Sequence, residues 1–247
     1  MEVLGLIPAR FGSSEIKKKN IRHLEGKPLI YYSIIEALKA HGIKRVVLST
    51  DSKIFQKIGT KYGAEAPFLR PNKLATNEAG LFPVIMHCLN FLKENDNYYP
   101  DAVFLLRPTS PFRKAVQIDE AINLLKCKNA DSVISMAPVK QHPHFMFRHN
   151  DNEKLEEYIN IEHKPGINNH WTLGFNTRRQ NLPKVWAYNC HTMISTTSYL
   201  CKAYKKGNFQ LNFEKFAPYF IDEISALDID TELDFKFAEF IMKNTKK

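Results

Sequence analysis

The first 140 residues alternate between short, uninterrupted apolar runs and longer segments with helical apolar spacing, and few folds accept that alternation. The runs EVLGLI (2–7), RVVLSTD (45–51), DAVFLL (101–106) and DSVISMAPV (131–139) do not switch between polar and apolar residues as half-exposed strands do. Strands buried on both faces belong to a parallel sheet covered on both sides. Between them KPLIYYSIIEALKAHG (27–42), SKIFQKIGTKYG (52–63), GLFPVIMHCLNFLKEN (80–95) and KAVQIDEAINLLKCKN (114–129) carry helical spacing, with Gly42 placed to stop the first. A βαβ succession of this kind predicts a largely parallel sheet layered between helices. Ligands of such sheets bind beyond the carboxyl ends of the strands. Here those ends carry PARFGSS (8–14), STD (49–51) and RPTSP (107–111).

Residues 141–187 break the pattern with His, Asn, Pro and aromatic residues, KLEEYINIE (154–162) being a hairpin strand and 164–186 a loop. A loop region of that length inside one domain is usually functional, as a lid or an oligomerisation arm. Strands resume at NCHTMIST (189–196) and FAPYFIDE (216–223), and TELDFKFAEFIMKN (231–244) is an amphipathic helix. The 247 residues suit one large α/β domain with 141–187 as an insertion. No apolar run approaches the roughly 18–20 residues of a membrane span, and the start lacks the pattern of a signal peptide, so the cytoplasm is expected. Cys88, Cys127, Cys190 and Cys201 form no CxxC and are expected to be reduced.

The formal net charge of +9 calls for an anionic partner: nucleic acid, a membrane surface or a phosphorylated small molecule. Its distribution narrows the choice. Residues 1–27 hold six Lys and Arg against three acids, whereas DEISALDIDTELD (222–234) holds six acids and no base. A nucleic-acid binder more often shows a basic stripe interleaved with aromatics. Opposed clusters suit a site in which cations hold phosphates and carboxylates hold a metal.

The segment IPARFGSSEIKKKN (7–20) is neither GxGxxG nor a Walker loop. A Gly-containing loop after the first strand still aims N–H groups at phosphate, with Arg10 and Lys19 adding charge-assisted contacts. The plainer reading is a turn whose charges face water, as expected of Lys17 and Lys18. In DIDTELD (228–234) Thr231 and Asp234 form a capping box, which also serves Glu232 but does not explain Asp228. In an extended segment Asp228 and Asp230 share a face, with Ile229 turned away. Two carboxylates and nucleotide phosphates together hold Mg²⁺. RPTSPFR (107–113) is either a rigid proline turn or an anion-facing loop with an arginine at each end. The histidines of QHPHFMFRH (141–149) lack zinc-site spacing, and no GxSxG or Cys/His nucleophile pair is present.

IPARFGSSEIKKKNI, VVLSTD, APFLRPNKLAT, LLRPTSPFR, RRQNLP and DIDTELDF occur in an order that resembles the acylneuraminate cytidylyltransferase family, the CMP-sialic acid synthetases, over nearly the whole chain. The resemblance implies a three-layer α/β/α, nucleotide-diphospho-sugar transferase-like fold with a mostly parallel mixed sheet and an arm that makes a homodimer. It implies Mg²⁺-dependent transfer of CMP from CTP to a nine-carbon 2-keto sugar acid. The first loop, with Arg10, Gly12, Ser13 and Lys19, then takes the triphosphate, Asn20 the nucleotide sugar, and Arg70 a place near the nucleotide. Arg179 takes the sugar acid, and Asp228 and Asp230 the metal. Some motifs depart from the family: GSSE replaces GSKG, TNEAG (76–80) replaces a TDTAS-like segment, Arg107 replaces Gln, and NCHTM (189–193) replaces NGAIY. Arg107 is therefore expected either to grip an anionic group of the acceptor or to pair with Glu78 or Glu15. Three rivals remain: the same chemistry on another sugar acid or nucleotide, a non-catalytic nucleotide-binding relative, and a basic RNA binder.

Overall fold

Val3 and Ile7 pack to one side of the first strand, and Leu4 and Leu6 pack to the other; all four are fully buried. This is the two-sided burial expected of a continuous apolar run. In the computed structural model, residues 1–12, 15–149, 155–157, 182–207 and 215–245 are described. In chain order these are β1 (Val3–Pro8), β2 (His23–Leu24), β3 (Lys27–Pro28), α1 (Leu29–Lys39), β4 (Ile43–Ser49), α2 (Lys53–Lys61), α3 (Leu81–Asp96), β5 (Ala102–Leu105), α4 (Ala115–Cys127), β6 (Ser132–Pro138), β7 (Phe147–His149), β8 (Leu155–Glu157), β9 (Trp186–Thr196), α5 (Thr197–Lys205), β10 (Phe216–Phe220) and α6 (Glu232–Asn244).

Six strands form one mixed sheet in the order β10-β6-β9-β5-β1-β4. β1 is parallel to both β4 and β5, β10 is parallel to β6, and β9 runs antiparallel to β5. Helices cover both faces. α1, α2 and α4 bury Ile34, Phe55 and Ile122 with Val3, Ile7 and Leu48 on one face. α3 and α5 bury Ile85, Leu92 and Leu200 with Leu4, Leu6 and Val47 on the other. α2 approaches β4 so closely that a Cβ on Gly59 would lie 2.4 Å from Leu48 Cδ2, so any larger residue there must displace the buried Leu48 side chain. No described helix is long and apolar enough to cross a membrane.

α6 serves the site directly. Phe235, Ala238 and Met242 pack with Ile16, Leu24 and Ile229, which ties the 228–230 segment to the loop after β1. Its capping box forms as the sequence predicts: Thr231 Oγ1 accepts from Asp234 N (3.2 Å) and Asp234 Oδ2 accepts from Thr231 N (2.7 Å). Glu232 takes no part in that box and instead accepts from Arg22 Nη1, whose guanidinium lies 4.1 Å from the Phe235 ring centroid.

The chain divides into two units, Met1–Met136 with Tyr188–Lys247, and Ala137–Ala187. In the second, β7 and β8 form the antiparallel hairpin, Phe147 opposite Glu157. The same unit holds a groove of about 580 Å³ lined by Pro138, Val139, Leu182, Pro183, Val185 and Trp186, among others. α5 is an element that the sequence pattern misses, and β9 begins three residues before the expected strand.

Candidate active site

The loops after β1, β4 and β5 converge, as a parallel sheet requires of its carboxyl edge. The loop after β1 is laced to its neighbours by backbone groups. Ala9 N donates to Ser49 O (2.9 Å), Phe11 N to Asp51 Oδ1 (2.7 Å), and Asn20 Nδ2 to Arg10 O (3.1 Å). Lys18 takes a left-handed backbone, φ 54°, to open the short 3-10 turn Lys19–Ile21. That turn points Lys19 back across the loop. Lys17 and Lys18 are exposed, as expected, and the Lys18 ammonium stands 5.6 Å from the Phe11 ring centroid.

The loops after β1 and β5, with the segment between α2 and α3, the start of α3 and Asp230, enclose a cleft of about 350 Å³, a size suited to a small-molecule ligand. Of the residues singled out from sequence, it is lined by Arg10, Gly12, Lys19, Asn20, Arg70, Arg107 and Asp230. Asp228 stands beside it. Ser13 and Arg179 lie outside the described residues.

Arg10 Nη1 donates to Asn77 Oδ1 (2.5 Å), a neutral acceptor that aims the guanidinium without cancelling its charge. Arg70 is 5% exposed and donates to Ser49 O (2.5 Å) and Ser49 Oγ (3.1 Å). Burial lowers its pKa to about 10; Asp51 opposes that fall and Arg10 adds to it. Its donors are thus largely spent on the protein, and it forms a wall of the cleft more than a free hand. Lys19 Nζ donates to Ile229 O (2.8 Å) and to Asp230 Oδ1 (3.0 Å). The lysine assigned to phosphate therefore also fixes a carboxylate of the acidic pair.

That pair is extended, with Asp228 partly buried, Ile229 fully buried and Asp230 exposed. Ile229 N donates to Thr109 O (2.8 Å), and Ser110 Oγ makes a long contact to Asp228 Oδ1 (3.4 Å). Among the described residues no group of three or more His, Cys, Asp and Glu side chains is placed to hold a metal ion. Two hard carboxylate donors at the rim of a cationic cleft do fit a Mg²⁺ ion that takes its other ligands from phosphate and water. Thr109 lines the same cleft, and its buried hydroxyl has no hydrogen-bond partner among the described residues.

The two arginines of RPTSPFR separate completely. Arg113 is 1% exposed and turns inward, donating to His191 O (2.6 Å), with longer contacts to Ser33 Oγ (3.4 Å) and Arg107 O (3.5 Å). It braces the loop from below, and the anion-facing reading fails for it. Burial pulls its pKa to about 10, Asp228 opposes the shift and Arg107 adds to it. Arg107 lines the cleft, but neither Glu78 nor Glu15 is its partner: Nη1 donates to Cys190 Sγ. Burial works against its charge, yet Cys190, Asp228, Tyr188 and Asp230 together hold its pKa above the ordinary value.

Several groups around this loop carry no signal in the sequence. His191 is buried, bonded through Nδ1 to Thr192 Oγ1 (2.8 Å) and through Nε2 to Gln117 Oε1 (3.1 Å). Asn189 Nδ2 donates to Ala226 O (2.8 Å), joining β9 to the turn before the acidic pair. The sequence marks NCHTM as a departing motif, and the fold sets it against Arg107 and Arg113.

Comparison with known proteins gives the family and the fold. Residues 4–237 match the family described as cytidylyltransferase. The chain is 31% identical to CMP-N,N'-diacetyllegionaminic acid synthase of Legionella pneumophila, over 98% of this chain and 97% of that protein. It is 28% identical to N-acylneuraminate cytidylyltransferase of Escherichia coli, over 100% of this chain and 54% of that longer protein. Among solved structures it resembles CMP:2-keto-3-deoxy-manno-octonic acid synthetase complexed with CTP, with a TM-score of 0.70 at 12% identity, covering 99% of this chain and 100% of that one.

Proposed function

The chain belongs to the cytidylyltransferase family, and from that premise we propose that it transfers CMP from CTP to the anomeric hydroxyl of a nonulosonic 2-keto sugar acid, releasing pyrophosphate. The observation that carries this reading is the gathering of Arg10, Lys19, Arg70 and Arg107 with Asp230 around one cleft, with Asp228 beside it. The acceptor hydroxyl attacks the α-phosphorus in line, and the bond to the β-phosphate oxygen breaks. Such a transfer needs little covalent help, so positioning and stabilisation of phosphate charge supply the catalysis. Arg10, held by Asn77, faces the triphosphate, and the N–H groups of the first loop add donors. Lys19 shares its charge between Asp230 and the phosphates. Asp228 and Asp230 would hold Mg²⁺, which supplies further neutralisation of the phosphate oxygens.

The full-length match to CMP-N,N'-diacetyllegionaminic acid synthase favours a nine-carbon acid of that class as acceptor. The same reading places the enzyme in the cytoplasm and makes it a homodimer. The apolar groove of the second unit supports the dimer, because Leu182, Val185 and Trp186 line it.

Pyrophosphate release, measured with CTP, UTP, ATP and GTP against N-acetylneuraminic, N,N'-diacetyllegionaminic and pseudaminic acids, tests the proposal. CTP with one or more of these acids is the expected productive pair. Release from another nucleotide only, or none from any pair, would overturn it.

A further inference from the structure

The cleft holds hydrogen-bond donors that the described residues do not satisfy. Arg107 follows β5 and lines the cleft, half-buried, with five N–H donors in a rigid fork. Among the described residues its guanidinium makes one hydrogen bond, to the sulfur of Cys190 on β9, a weak acceptor. Tyr188 Oη sits 3.8 Å from that sulfur. Two positions on, Thr109 lines the same cleft, and its hydroxyl is buried and has no partner among the described residues. A half-buried cation and an orphaned hydroxyl lining one cleft each cost free energy unless a ligand completes them.

The carboxylates Asp228 and Asp230 lie close enough to sustain the arginine's charge, yet neither hydrogen-bonds to it. Asp230 is already bound by Lys19, and its backbone N–H is bound by Asp234. Of the other cations of the cleft, Arg10 is aimed by Asn77 and assigned to the triphosphate, Lys19 pairs with Asp230, and Arg70 spends its donors on Ser49. Among the described residues, Arg107 is the arginine of the cleft whose guanidinium has no oxygen acceptor.

We propose that Arg107, with the Thr109 hydroxyl of the same cleft, is a specificity-determining residue that binds the carboxylate of the acceptor. A planar carboxylate matches the guanidinium fork bidentately, and the Thr109 hydroxyl is a second donor available in the same cleft. Cys190 is part of the device. A thiol keeps the arginine oriented without competing for it, whereas an oxyanion at that position would satisfy the fork from within the protein. The inference rests on the cytidylyltransferase reading and names how its site selects an acid.

The test compares N-acetylneuraminic and N,N'-diacetyllegionaminic acids with their methyl esters, which remove the negative charge and little else. The wild type is expected to favour the acid by tenfold or more in kcat/KM, as for one charge-assisted contact. Arg107→Gln should lose about tenfold to hundredfold with the acid, through acceptor KM, and change little with the ester, closing the gap between them. Cys190→Asp should do the same with Arg107 still present. In both variants CTP affinity, measured by calorimetric titration, should stay at the wild-type value, and melting temperature reports whether the fold survives. Preserved acid preference in folded Arg107→Gln would overturn the proposal. So would a loss confined to CTP affinity, which would make Arg107 a phosphate ligand. Absence of turnover by the wild type with every acceptor would overturn the underlying reading and this proposal with it.

Discussion

Asp228→Asn and Asp230→Asn are each expected to lower pyrophosphate release at least a hundredfold while the folded chain persists. Each swap removes a charge and almost no volume. Asp230 is exposed and pairs with Lys19 at 3.0 Å, so breaking that pair costs at most about 1 kcal/mol of stability. The catalytic cost is larger because two functions fail together: a hard donor for a divalent cation is lost, and Lys19 loses the partner that aims it. Asp234→Asn is the control. Its carboxylate caps α6 through the backbone of Thr231 and Asp230, so it should cost about 0.5–2 kcal/mol of stability and leave most of the activity. Turnover against Mg²⁺ concentration, with thermal melting of all three variants, separates the roles. A lethal Asp234→Asn beside two mild changes would move the metal site elsewhere.

Acid should destabilise this protein through His191. Burial, reinforced by Arg113 and only partly offset by Asp222, drives its pKa from 6.5 to about 2, so the folded protein keeps the ring neutral. The unfolded chain binds a proton below about pH 6.5 that the native state refuses, and stability therefore falls as pH drops from 6.5 toward 2. The slope approaches about 1.4 kcal/mol per pH unit, so about 2–3 kcal/mol is lost by about pH 4.5, a large part of the 5–15 kcal/mol typical of a domain. The loss reaches the active site because the His191 carbonyl holds Arg113, which in turn braces the Arg107 loop. Melting temperatures from about pH 4 to pH 8 should show a steep acid limb for the wild type. The limb should be shallower for His191→Gln, which cannot titrate, even if that variant starts lower. Parallel curves would show that His191 is not the titrating group.

Much of the architecture was legible because burial on both faces leaves a direct mark on composition. Four continuous apolar runs could only be covered strands, and the segments between them kept helical spacing. The α6 cap was equally legible, since Thr231 and Asp234 are three residues apart and their reciprocal bonds need only local backbone. α5 was not. TSYLCKAYK is short, with only Thr197, Leu200 and Ala203 buried, a pattern too brief to stand out.

Local sequence determined where charge gathers: a cationic loop after the first strand, an acidic pair with Ile229 turned inward, and an arginine at either end of RPTSPFR. The tertiary structure decided what each charge touches. Lys19 meets Asp230 across 211 positions, Arg107 meets Cys190 across 83, and Arg113 is buried against β9, 78 positions on. Two arginines six residues apart in one loop are alike as sequence. They differ because the antiparallel strand β9, inserted beside β5, covers one and leaves the other facing the cleft. Residue type and local spacing determine helices, caps and turns; partnership between distant charges depends on the path of the chain, which only the packed sheet fixes.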